Sequence, residues 1–77
     1  MKYYECKDVN GNVYEYRTKE TKISNLNRYY YSIVPVSPDE FTISKISRVK
    51  GTTSSLKLST VSTLEAAKAV VAELRKE

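Results

Sequence analysis

Hydrophobic and polar positions alternate along most of this chain, then switch to helical spacing near its end. Tyr3-Tyr4-Glu5-Cys6-Lys7 and Val13-Tyr14-Glu15-Tyr16-Arg17 are β-forming runs flanking Asp8-Val9-Asn10-Gly11-Asn12. Asn-Gly between such runs predicts a hairpin, because glycine accepts the positive φ that tight turns require. A two-residue loop would set Cys6 opposite Glu15. A three-residue loop with Gly11 in the left-handed region sets Cys6 opposite Tyr14 and Tyr4 opposite Tyr16, and is preferred because it gathers apolar side chains on one face.

Thr18 to Asn27 is a polar connection without pattern. Arg28 to Val36 is rich in aromatic and β-branched residues and predicts a strand, with Tyr29, Tyr31 and Ile33 on one face and Arg28, Tyr30 and Ser32 on the other. Pro35 cannot donate to a ladder, so the strand ends there or lies at an edge. Ser37-Pro38-Asp39-Glu40 has the form of a helix start, but Phe41 to Lys50 contains no Ala, Leu, Glu or Gln. A turn followed by a strand over Phe41 to Val49 is the preferred reading, and a short helix is the alternative. The alternation slips between Ile43 and Ile46, which a bulge would absorb. Ser55 to Val61 predicts a further strand with Leu56 and Leu58 inward. Ser62-Thr63-Leu64-Glu65 is a capping box, and Leu64, Ala67, Val70, Val71 and Leu74 form the apolar stripe of a helix. Glu65 at its start and Arg75 and Lys76 at its end complement the helix dipole. The expected fold is α+β, a small antiparallel sheet made of the N-terminal hairpin and about three further strands, packed on one C-terminal helix.

Composition narrows the function. Seventy-seven residues make one domain, whose thin core has no room for an enclosed cofactor cavity. With no His, catalysis of the Ser-His-Asp or Cys-His type is excluded, and a lone Cys6 cannot complete a zinc site. Gly11 and Gly51 are too far apart for a phosphate-cradling loop. Asp8, Asn10 and Asn12 have the spacing of a calcium loop, but the glycine is misplaced and Lys19 fills the position of the bidentate Glu, so they are read as turn residues. A non-enzymatic binding domain without metal or cofactor is expected. Cysteine usage, the lack of a leader and the lack of a long apolar run give a cytoplasmic expectation with no membrane partner.

The net charge of +4 is unevenly placed. Basic and acidic residues cancel from Met1 to Glu20 and again from Glu65 to Glu77. Between them Lys22, Arg28, Lys45, Arg48, Lys50 and Lys57 face only Asp39 and Glu40, and Phe41 to Leu64 contains no acid. If the helix covers one face of the sheet, the other is basic and bears Ser and Tyr, which suits the phosphates and bases of a nucleic acid.

The run Leu58-Ser59-Thr60-Val61-Ser62-Thr63-Leu64-Glu65-Ala66-Ala67-Lys68-Ala69-Val70 resembles the closing part of AP2-like DNA-binding domains and of the arm-binding domains of phage integrases. There a last strand passes through a Thr into a Glu-Ala-Ala helix. The resemblance spans Arg28 to Leu74, with its residue-level part at Leu58 to Val70. It implies a three-stranded sheet, backed by the helix, that enters the major groove of duplex DNA. By position it assigns contacts to Arg28, Tyr30, Ser32, Lys45, Arg48, Lys50 and Lys57, the residues that charge also selects. This chain lacks the Trp residues of those families, and its Ser37 to Thr53 stretch is longer than their hairpin.

Two functions are therefore expected from different classes. The first is a nucleic-acid-binding domain, with duplex DNA as the partner. The second is a small protein-interaction module, such as a regulator or phage-type inhibitor of a larger host complex, working through Tyr-rich strands or a sheet edge. A homodimer paired through an edge strand is compatible with so small a core.

Overall fold

The computed structural model describes residues 3–75. Strands β1 (Tyr3–Lys7), β2 (Val13–Thr18), β3 (Thr21–Lys22), β4 (Asn27–Ser37), β5 (Glu40–Val49) and β6 (Thr52–Val61) precede one helix, α1 (Leu64–Leu74). All pairings are antiparallel, in the order β1-β2-β4-β5-β6, with β3 bonded to β4 on the β2 side. The α+β sandwich expected from the patterning is the observed architecture.

The helix covers one face of the sheet, and the core lies between them. Ile33 and Ile43 are directly opposite each other on β4 and β5, fully buried, and meet Ala67 and Val71 of α1. Tyr31 joins this core. Tyr3, Tyr16, Tyr29, Phe41, Val61, Leu64, Val70 and Leu74 pack around it. The Tyr29 and Tyr31 rings meet edge to face at 5.8 Å, the arrangement that aromatic quadrupoles favour. Amphipathic lysines close the rim. Lys68 of α1 lies 5.2 Å from the Tyr3 ring, and Lys45 of β5 lies 4.4 Å from the Tyr29 ring.

Turn chemistry follows the sequence closely. The Asp8 carboxylate accepts the N–H groups of Asn10 (2.9 Å) and Asn12 (3.0 Å), which ties up the loop between β1 and β2. Lys50 and Gly51 both have positive φ, 51° and 84°, and form the two-residue turn between β5 and β6. That turn matches the right-handed twist of the strands it joins. Ser37 donates to Asp39 across the turn between β4 and β5, so the turn-then-strand reading of this stretch holds over the helical one.

Several details differ from expectation. In the first hairpin Cys6 pairs with Glu15 and Tyr4 with Arg17, and the loop is longer than either register assumed, with Tyr14 as the extra residue of a bulge. Tyr3, rather than Tyr4, therefore joins Tyr16 on the helix side. The connection after β2 contains β3, with Thr21 opposite Tyr29 and Lys22 opposite Arg28. The slip between Ile43 and Ile46 is not absorbed, since β5 alternates without a bulge and sets Ile43 toward the helix and Ile46 on the other face; the bulge lies in β6. Ile43 pairs with Ser59 and Ser44 with Lys57, leaving Leu58 as the bulged residue. Leu56 and Leu58 are not inward, being 61% and 38% exposed, because the helix spans only part of its face.

The helix begins one residue later than the capping box implies. Thr63 is the N-cap, with extended backbone, and its hydroxyl accepts the Ala66 N–H at 3.0 Å. Ser62 is still leaving the strand, and Glu65 is left to act on the dipole alone. Thr63→Ala is expected to cost about 1 kcal/mol and Ser62→Ala only a few tenths, read from urea denaturation midpoints. Arg75, at the C-cap, reaches past the helix end to donate to Thr18 Oγ1 and the Lys19 carbonyl, both at 3.2 Å. Lys76 lies outside the described residues.

Candidate functional site

The sheet face turned away from α1 has no covering layer among the described residues, and strand pairing decides which side chains share it. Successive residues point to opposite faces, and directly paired residues to the same one. Three rows result. Lys22, Arg28, Arg48 and Thr53 are side by side on β3, β4, β5 and β6. Tyr30, Ile46 and Ser55 form the next row, and Arg17, Ser32, Ser44 and Lys57 the third.

The first row sets three cations next to one another. Like charges directly opposite on paired strands destabilise a sheet. None of the three is in an ion pair among the described residues, where the Arg17–Glu15 pair at 2.8 Å is the salt bridge present. Glu20 lines the hollow beside Arg28 and Arg48 but makes no ion pair with either. A row of unneutralised cations is a site at which an anion would relieve repulsion.

Arg17 behaves differently. Its hydrogen bond to Glu15 raises its affinity for the proton, and its guanidinium carbon sits 5.2 Å from the centre of the Tyr30 ring. The other Glu15 oxygen accepts from Ser32, which is 2% exposed. Burial pushes the Tyr30 hydroxyl up from its ordinary value. Beside this cluster the pairing of β2 with β4 ends at Arg17, while Thr18 stays paired with Tyr3 of β1. The Tyr31 N–H is taken up by Thr18 Oγ1 at 3.0 Å, and Arg75 holds the displaced segment from the helix side. Where the two strands part, an open depression of about 550 Å³ is bounded by Tyr4, Cys6, Arg17, Glu20, Tyr30 and Arg48.

Of the residues expected at the site, Arg28, Tyr30, Arg48 and Lys57 share this open face. Ser32 is on the same side but sealed, with its hydroxyl committed to Glu15. Lys45 is on the opposite face, paired with Tyr31 and lying over Tyr29, because β5 alternates without a bulge. Lys50 sits at the tip of the β5–β6 turn. The expected contact residues left out Lys22, Arg17 and Tyr4. Lys22 belongs to the excess of positive charge, but only its pairing with Arg28 places it. The N-terminal hairpin sums to zero charge, which hid that Arg17 and Tyr4 share the open face.

No protein-family model, curated protein or solved structure matches the chain. Among the described residues no helix is long and apolar enough to cross a membrane. The function has to be argued from the open face.

Proposed function

We propose that this chain is a non-enzymatic nucleic-acid-binding domain whose contact surface is the open face of the sheet. The observation that carries this reading is the row Lys22, Arg28 and Arg48, three adjacent cations without ion-pair partners among the described residues. Folding opposes such a row unless a polyanion compensates it. Lys57 and the exposed Ser and Thr of β6 extend the same surface with donors for phosphate oxygens. Duplex DNA is the first partner to test, since the resemblance of Leu58 to Val70 implies a sheet that enters the major groove.

The test is fluorescence anisotropy of labelled duplex DNA, single-stranded DNA and RNA across a salt series. The expected result is binding whose logarithm falls with the logarithm of salt, with a slope of about −3 for three phosphate contacts on duplex. Absence of binding to all three at low salt overturns the proposal.

One observation favours the second reading. β6 is a ten-residue strand at the end of the sheet, with nothing paired to its outer edge among the described residues and with Leu56 and Leu58 exposed. Such an edge can accept a strand from another protein. Failure to bind nucleic acid, together with a complex that survives nuclease treatment and is lost on Leu58→Lys, would move the function to a protein partner.

A further inference from the structure

We infer that the depression where β2 and β4 part is a subsite for one unpaired nucleobase. The open face thus prefers a single strand, or a duplex with a looped-out nucleotide, over fully paired DNA. This rests on the nucleic-acid reading and narrows it. A paired duplex presents its phosphates outward and keeps its bases stacked, so it can meet the Lys22–Arg28–Arg48 row but cannot fill a hollow beside it. The hollow is about 550 Å³, more than one base requires, is open to solvent, and is bounded by Arg48 of the cationic row.

Its lining has the chemistry of base stacking. The Tyr30 ring is half-buried and held from one side by Arg17, whose guanidinium is itself fixed by Glu15. Tyr4 is 50% exposed on β1, opposite Arg17 of β2, and offers a second ring. An aromatic face stacks on any base, and a flanking guanidinium adds to it. Arg48 bounds both the depression and the cationic row, which sets a phosphate site adjacent to the stacking site. The Glu20 carboxylate between them repels phosphate and accepts from N–H groups on a base edge, so it orients the base inward and the backbone toward Arg28 and Arg48.

Cys6 lines the same depression and is the chain's one cysteine, so its thiol reports occupancy without any substitution. The experiment compares a short unstructured DNA strand, its RNA counterpart, the paired duplex and the same duplex with a single unpaired nucleotide. Wild type, Tyr30→Phe and Tyr30→Leu are titrated with each. The single strand and the bulged duplex are expected to bind about tenfold or more tighter than the paired duplex. Tyr30→Leu should weaken single-strand binding by about 5- to 150-fold, the range for one stacked base, without changing its salt slope. Tyr30→Phe should retain it. Saturating single strand should slow the reaction of Cys6 with a thiol reagent, whereas paired duplex should not. Equal binding of paired duplex and single strand, or Cys6 reactivity unchanged by bound single strand, overturns the inference while salt-dependent binding keeps the broader proposal. Cys6 protection is read on wild-type protein, so the result stands even if Tyr30→Leu does not fold. No binding to any probe removes both.

Discussion

Ile43→Ala is expected to remove a large share of this domain's stability. Ile43 is fully buried, opposite Ile33 and beneath Ala67 and Val71, so truncation opens a cavity between sheet and helix that neither layer can fill. Removing a buried Ile side chain costs about 2–5 kcal/mol through lost transfer energy and residual cavity. A domain of this length has roughly 4–12 kcal/mol in total, and small domains sit toward the lower part of that range. The loss therefore consumes a large share of the whole. Urea denaturation followed by far-UV circular dichroism measures it, with Leu56→Ala as the comparison. Leu56 is 61% exposed, and its truncation should shift stability by no more than about 0.5 kcal/mol. Equal effects at the two positions would mean that the helix does not pack as described.

The second large effect separates two cations that the sequence places together. Arg28→Glu puts a carboxylate between Lys22 and Arg48, replacing two like-charge neighbours with two attractive ones. Stability should rise, by about 0.2–1 kcal/mol per pair. Nucleic-acid affinity should fall by at least about tenfold at low salt, with a salt slope shallower by about one or more. Lys45→Glu changes net charge by the same amount on the other face, where Lys45 covers the Tyr29 ring. It should leave binding nearly unchanged and cost about 0.5–1 kcal/mol of stability. The two variants thus move binding and stability in opposite patterns. Equal losses of binding would mean that only net charge matters, and that the open face has no special role.

The contrast between Lys45 and Arg48 also shows how legible the site was. Both belong to an acid-free run of strand residues, and composition weighs them alike. Which face each occupies depends on parity along β5, and one extra residue reverses it. The slip between Ile43 and Ile46 suggested such a residue in β5. The sheet instead sets Ile46 on the open face beside Tyr30 and moves the bulge to Leu58 of β6. Neither choice is visible within β5, because register is a property of two strands. The hairpin of β1 and β2 has the same origin. Gathering apolar residues on one face favoured Cys6 opposite Tyr14, but the five residues between Lys7 and Val13 form a loop held by the Asp8 carboxylate, and Cys6 pairs with Glu15.

The sequence alone determined whatever depends on local chemistry and periodicity. The Asn-Gly turn, a strand over Arg28 to Val36, the helix and its apolar stripe, the α+β class and the concentration of positive charge in the middle of the chain all follow from neighbours a few residues apart, whereas β4 runs on past Pro35 to Ser37 and Thr52 to Ser54, read as loop, belong to β6. Tertiary structure decided what depends on distant segments meeting. It paired Lys22 with Arg28 and Arg28 with Arg48, sealed Ser32 against Glu15, turned Lys45 to the helix side and left a hollow where β2 and β4 part. Periodicity specifies which residues share a face within one strand, but the face of one strand is joined to that of the next only by the register and bulges of the assembled sheet.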